Sequence, residues 1–341
     1  MAKVAFVVCG NGYGHLRRVT EVIREIHRLH VSTSILLAIT PRQQEILLQW
    51  DFWASVNKSR IQVFVSDLDH NLKATLPADY SLKMYRNSWV SLYEVLHQFN
   101  ADKLVSDNLA GLLDEFPHAV LMGSFLWADC LEAGHRNTPE VTAICRQELE
   151  LLRIHRPKMF GVADMVMPAV VQETHFQGLP WFCQRQSPAR RSGKTPRVLV
   201  SGGGTQRATD PLNEVLATLV KEGGVRIFAD RLLGSQPMWS NQVSLFDFSN
   251  ESFGDIDMIF CRPGLGILTD AVSHTIPVCV IEDADKEMQH NAARVESLSI
   301  GFKWNKMNFS KERILNGGRY RDAISALRTG GATEMAAWCL G

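Results

Sequence analysis

Residues 259–280 contain Ile259-Phe260-Cys261-Arg262-Pro263-Gly264-Leu265-Gly266-Ile267-Leu268-Thr269-Asp270-Ala271-Val272, followed by Ile276-Pro277-Val278-Cys279-Val280. The order of side chains predicts strand, glycine turn, helix, strand. Ile256, Met258, Ile259 and Phe260 form a short apolar run, the mark of a parallel strand covered on both faces. Gly264 and Gly266 break that run, and glycine lets a backbone turn sharply and approach a ligand closely. The segment from Ile267 to His274 has helical spacing, with its N-terminus aimed back at the turn. Unbonded N–H groups and the helix dipole make such a point a seat for an anion. Arg262 adds a fixed positive charge just ahead of it. Asp270, one turn into the helix, could accept hydrogen bonds from a vicinal diol such as a ribose. A nucleotide diphosphate fits this arrangement; so does a plain strand–turn–helix joint with structural glycines.

Upstream the same rhythm repeats. Arg197–Ser201 reads as a strand, Gly202-Gly203-Gly204-Thr205 as its turn, and Pro211 with Leu212, Val215, Leu216 and Leu219 as the helix after it. Glycines at a strand-to-helix turn can take phosphate oxygens on backbone N–H groups. No Lys-Ser/Thr follows, which excludes a Walker A loop. Val225–Ala229 and Val243–Phe246 are further strands, with Asp247-Phe248 placed to close over a base. Arg319–Gly341 is helical in pattern. Gln184–Pro196 is polar, basic and Pro/Ser-containing, the clearest linker signal in the chain.

The first half has the same alternation. Val4–Val8 is a buried parallel strand ending in Cys9-Gly10-Asn11-Gly12-Tyr13-Gly14-His15, with a helix carrying Val19, Val22, Ile23 and Ile26 behind it. A dinucleotide fingerprint fails here: His15 stands where the third glycine belongs, and the next strand, Ser34–Ile39, ends in Thr40-Pro41 rather than an acid. Ile61–Val65 and Lys103–Asn108 are strands, and Tyr80–Phe99 and Glu140–Ile154 are helices. Ala119–Trp127 is a strand running into a turn, and Met165-Val166-Met167-Pro168 a last short strand. Strands alternating with helices imply α/β domains with parallel, doubly wound sheets. His15 sits where a strand hands over to a helix, at the sheet edge where ligands bind. Its ordinary titration range suits a proton acceptor at neutral pH. Asp107, at another strand end, is its candidate partner. A helix-start histidine satisfied by its own turn is the competing reading.

The Arg-x-Gly turn with an acid six residues on and Pro277 beyond resembles the donor-nucleotide motif of GT-B glycosyltransferases, and the MurG family most of all. The resemblance implies two Rossmann-like domains facing a cleft: residues 1–184 for the acceptor, a linker at 185–196, and 197–341 for the nucleotide-sugar, with the last helix crossing back to the first domain. It implies that Asp270 binds the ribose of a UDP-sugar and that Gly203, Gly204 and Thr205 face the donor, as do Arg262, Gly264, Leu265 and Gly266. It also places Glu287, Gln289 and Asn291, within Glu287–Arg294, at the donor sugar. Gly12, Tyr13, Gly14 and Arg18 resemble the family's first loop, which lines the cleft. There His15 would be the general base and Asp107 its orienter, with Asn108, Phe125 and Trp127 on the acceptor side. The activity implied is inverting, metal-independent transfer of a sugar to a hydroxyl of a glycan, lipid-linked or small-molecule acceptor, with no cofactor beyond the nucleotide-sugar. A nucleotide-sugar hydrolase of the PseG type, a 2-epimerase, or a non-catalytic sugar-nucleotide-binding protein would share the fold.

Composition narrows the field. The 341 residues are 45% hydrophobic and 21% charged, enough for two cores. Net charge is zero, which offers no field for nucleic acid. The seven cysteines are scattered and odd in number. With Met1-Ala2-Lys3-Val4 entering a strand directly, a cytoplasmic protein is expected. The triplet Asp67-Leu68-Asp69 follows a first-domain strand, far in sequence from the donor motif. Trp50, Phe52 and Trp53 would, if exposed, suit a lipid-linked acceptor or peripheral membrane contact; burial is the commoner fate of such residues.

Overall fold

The computed structural model describes residues 1–66, 82–132, 139–186, 195–203, 209–239, 241–282, 284–306, 314 and 317–341. The chain divides into two compact units, Met1–Phe182 with Gly330–Gly341, and Cys183–Thr329.

The first unit holds a seven-stranded sheet: β1 Lys3–Val8, β2 Ser34–Ile39, β3 Ile61–Val65, β4 Lys103–Asp107, β5 Val120–Met122, β6 Lys158–Val162 and β7 His175–Leu179. Its order is β3-β2-β1-β4-β5-β6-β7, and every pairing is parallel. The central strands are continuous apolar runs because helices cover both faces. The Tyr13–Leu29 helix buries Leu16, Val19, Val22, Ile23 and Ile26. Strand order reverses between β1 and β4, where Val8 is in register with Asp107. Open α/β sheets bind ligands at such a switch point.

One expectation fails in this unit. Met165–Met167 is not a strand. Its N–H groups bond out of register, Met165 to Val162 O at 3.0 Å and Met167 to Ser124 O at 2.8 Å, and the Pro168–Glu173 helix follows. The actual strands, β6 and β7, are interrupted by Gly161 and Gly178, which mask their apolar pattern. Gly161 is in register with Gly178, and a Cβ on it would collide with Gly123 O. The end of the chain is helical and falls into two helices. Gly318–Ala326 belongs to the second unit and Gly331–Leu340 to the first, with Gly330 between them at φ +100°, a conformation open to glycine. The Gly331–Leu340 helix packs on the Tyr13–Leu29 helix, and Thr333 Oγ1 donates to Glu25 Oε2 at 2.7 Å.

Phe52 is fully buried, edge-on to Trp53 with centroids 5.0 Å apart, while Trp50 and Trp53 are half-buried. The three do not make an exposed patch. Among the described residues no helix is long and apolar enough to cross a membrane.

The second unit holds β8 Arg197–Ser201, β9 Arg226–Ala229, β10 Val243–Leu245, β11 Met258–Cys261, β12 Val278–Val280 and β13 Gly301–Lys303. The order is β10-β9-β8-β11-β12-β13, again all parallel, with the reversal between β8 and β11. The unit begins before the expected linker ends. Arg185 donates through Nη1 to Val272 O at 2.7 Å and through Nη2 to Ile324 O and Leu327 O at 3.0 Å. Gln186 N–H donates to Ser273 O at 2.9 Å, and Ser273 Oγ donates to Gln184 O at 2.7 Å. Residues 184–186 are thus tied to this unit, and 187–194 lie outside the described residues.

Candidate functional site

In the first unit, β1 ends in Cys9 and the turn to Gly12, whose φ of +94° with ψ 172° only glycine adopts readily. The turn is held from behind. Thr40 and Gln43 form a reciprocal capping box, and Gln43 Nε2 donates to Cys9 O at 2.7 Å. That turn starts the Tyr13–Leu29 helix and sets His15 on its first turn. Asp107, the last residue of β4, is fully buried beside it. Nδ1 of His15 lies 2.6 Å from Asp107 Oδ1. A carboxylate only accepts, so Nδ1 is the donor of this bond.

Burial pushes the Asp107 carboxyl up, but the charges and hydrogen bonds of Arg18 and His15 outweigh it and hold it below the usual carboxylate range. Arg18 donates to both its oxygens, Nη2 to Oδ1 at 2.7 Å and Nε to Oδ2 at 3.2 Å. Arg18, expected on the acceptor side, is therefore engaged with Asp107. Tyr13 is bound as well: Arg42 Nε donates to its hydroxyl at 2.8 Å.

Phe125 and Trp127 are buried members of the core. They reach the site as supports. Phe125 meets the His15 ring edge-on at 6.3 Å, Trp127 meets Phe125 at 5.0 Å, and Trp127 Nε1 donates to Asn108 O at 2.8 Å. Asn108 itself sits at φ +59°, and its buried Nδ2 makes no hydrogen bond among the described residues. Behind Trp127, Glu148 from the Pro139–His155 helix accepts the N–H groups of Trp127 at 3.2 Å and Ala128 at 2.5 Å. Burial raises the Glu148 carboxyl to about 7, against a smaller opposite pull from those two N–H groups. Glu148 was not among the sequence candidates, since an acid inside an amphipathic helix carries no signal of its partner.

In the second unit the turn after β11 leads directly into the Leu265–His274 helix, whose N-terminal residue Gly264 makes no side-chain cap. Gly264 has an ordinary φ of −68°, and a Cβ there would meet nothing within 4 Å. Its glycine is therefore not demanded by backbone strain, and Gly266 lies within the helix. Arg262 N–H donates to Ser201 O at 3.3 Å, which brings this turn beside the one after β8. There Asp230 accepts from Gly202 N–H at 2.7 Å and Ser201 Oγ at 3.1 Å, and Gly203 lies at φ +67°. Gly204 and Thr205 lie outside the described residues, as do Asp67-Leu68-Asp69.

Arg262 Nη2 lies 3.3 Å from Asp285 Oδ2, while Asp285 Oδ1 caps the Lys286–Ser297 helix through Glu287 N–H at 2.9 Å. Asn291 Nδ2 donates to Pro263 O at 2.9 Å and is buried, so Asn291 fastens that helix to the turn. Glu287 is buried and Gln289 exposed. Asp270 is 5% exposed on the helix after the turn. Phe248 is half-buried at φ +59°, a conformation costly for a bulky residue. The turn is fixed by Ser249 N–H donating to Asp247 Oδ1 at 2.9 Å, and Phe246 and Phe253 pack edge-on against the ring at 5.1 and 6.0 Å. Asp230 and Asp285 were missed from sequence. Asp285 had a legible signal, an acid just before a helical run.

No family model and no curated protein sequence matches the chain. Solved structures do. The glycosyltransferase SnogD from Streptomyces nogalater is 13% identical with a TM-score of 0.61, over 100% of this chain and 99% of that one. Acinetobacter baumannii MurG is 12% identical with a TM-score of 0.58, over 100% and 99%. Phytolacca americana UGT2, complexed with UDP-2-fluoro-glucose and pterostilbene, is 11% identical with a TM-score of 0.63, over 98% and 95%. The fold is GT-B. In each half of this GT-B chain the expected residues gather at the switch point of the sheet, His15 and Asp107 between β1 and β4, Arg262 and Gly203 between β8 and β11. Among the described residues no group of three His, Cys, Asp or Glu is placed to hold a metal ion.

Proposed function

We propose that the protein is an inverting glycosyltransferase that moves a sugar from a nucleotide-sugar, a UDP-sugar in the first instance, to a hydroxyl of a glycan, lipid-linked or small-molecule acceptor. The observation that carries this is the His15–Asp107 pair at the switch point, with Nδ1 bound at 2.6 Å. Nε2 takes the proton of the acceptor hydroxyl as its oxygen attacks the anomeric carbon. The bond from that carbon to the diphosphate oxygen breaks, and its electron pair leaves on the diphosphate. A single displacement inverts the centre. Asp107 keeps the imidazole in the required tautomer.

In the second unit, Arg262 and the first N–H groups of the Leu265–His274 helix supply the positive field for the leaving diphosphate, so the reaction requires no metal. Asp270 takes the ribose, and Phe248 stacks on the base. The complex of the Phytolacca protein with UDP-2-fluoro-glucose supports a donor of this class.

The test is a panel of UDP-, dTDP-, GDP- and CMP-sugars with and without acceptors, read by nucleotide release. Release only with an acceptor is expected. His15→Ala should lower kcat by about 10²–10⁴-fold and leave nucleotide affinity nearly intact. Release without acceptor assigns hydrolysis instead, and binding without turnover assigns a sensor. Full turnover in His15→Ala rules out His15 as the base.

A further inference from the structure

Arg18 lies three residues after His15, on the same face of the helix. Its guanidinium forks onto Asp107, with Nη2 on Oδ1 at 2.7 Å and Nε on Oδ2 at 3.2 Å. Oδ1 is the oxygen that also accepts from His15 at 2.6 Å. Arg18 Nη2 is 3.4 Å from His15 Nδ1. Nδ1 already carries a proton, so this last approach is a contact of a cation with an imidazole, not a hydrogen bond. All three groups are nearly or wholly shielded from water.

We infer that Arg18 is a positioning residue that neutralises Asp107, so that the carboxylate orients the His15 imidazole without holding a proton on it. A buried carboxylate alone, opposite an imidazole, favours the imidazolium. A base kept in that form accepts no proton from a hydroxyl. The Arg18 charge opposes the effect, and the Asp107–Arg18 pair sums to zero. The bidentate fork also fixes the plane of the carboxylate, which the point charge of a lysine does not do. Among the described residues of this unit, the charged groups that face His15 are Asp107, from β4, and Arg18, from its own helix. Phe125, which faces it from the segment after β5, brings no charge. Two unit charges this close inside a protein move a titration midpoint by about one pH unit or more. The role assigned to Arg18 rests on His15 acting as the base, but its electrostatic content can be measured without any substrate.

The experiment is an NMR titration of the His15 ring in the full chain, its signal assigned by its loss in His15→Gln. In Arg18→Met the midpoint should rise by about one pH unit or more, and in Arg18→Lys it should stay near that of the wild type. Asp107→Asn, which leaves His15 beside a lone cation, should lower it. An unchanged midpoint in folded Arg18→Met overturns the inference. If that variant does not fold, absence of a fall in Asp107→Asn overturns it equally. Where turnover is measurable, the acid limb of the pH–rate profile should move with Arg18→Met, whereas a purely structural salt bridge would lower the rate and leave the limb in place. A moved midpoint in a protein that turns over no nucleotide-sugar keeps the Arg18 assignment and removes the transferase reading.

Discussion

Replacing Glu148 with Gln should shift the stability of the first unit, measured against the wild type, in the variant's favour between pH 4.5 and pH 8. Glu148 is buried and accepts two N–H groups at the start of the Trp127–Glu132 helix. Burial lifts its carboxyl from 4.5 to about 7, the two N–H groups pull it back in part, and Asp129 pushes it further up. A carboxyl raised on folding gives stability that is complete below its unfolded value and lost as pH rises through its folded value. The window here runs from about pH 4.5 to just above 7. The rise corresponds to about 3 kcal/mol. Gln keeps the shape and does not titrate; its Nε2 cannot accept, so one of the two N–H bonds is lost at every pH, an offset that does not vary with pH. The stability difference between variant and wild type should therefore swing by about 3 kcal/mol toward the variant between pH 4.5 and pH 8. Urea unfolding followed by tryptophan fluorescence, run on both proteins in the same buffers, isolates the swing because all other titrations are shared. A difference that stays constant with pH, or swings toward the wild type, refutes the reasoning.

Two further outcomes concern the second unit. Gly264→Ala places a methyl where nothing stands within 4 Å and at an allowed φ. Melting temperature should hold or rise slightly, while nucleotide affinity by calorimetry falls about tenfold or more, roughly 1.4 kcal/mol; unchanged affinity would mean that no phosphate sits there. Asn291→Ala removes the buried bond to Pro263 O and should cost about 1–3 kcal/mol of stability together with nucleotide affinity. Lost stability with full affinity would show that the turn keeps its shape without Asn291.

Much of the fold was legible because parallel strands buried on both faces are written as unbroken apolar runs. Val4–Val8 and Ser34–Ile39 are of this kind. β6 and β7 were not legible. Their close neighbour contacts require Gly161 and Gly178, and a glycine inside a strand reads as a break. His15 and Asp107 could be paired from sequence because each stands at a strand end, and ends of parallel strands share one edge. Arg18 could be placed on that helix face but not assigned to Asp107, because spacing along a helix does not reveal what the facing strand presents. Phe125 and Trp127 were expected to line a binding surface. Sequence does not distinguish an aromatic that touches a ligand from one that steadies the residue that does.

The helix Gly331–Leu340 completes the first unit, although all of residues 183–329 intervene between it and the rest of that unit. On the ribosome the second unit leaves the exit tunnel as one continuous piece and can fold as it emerges. The first unit, begun earlier, must wait. Until residues 331–340 are made, the face of the Tyr13–Leu29 helix that they cover has no partner, and the Trp338 ring that meets Phe160 at 5.1 Å does not yet exist. The helix whose first turn carries His15 is thus finished last, and order of synthesis and order of completion are reversed.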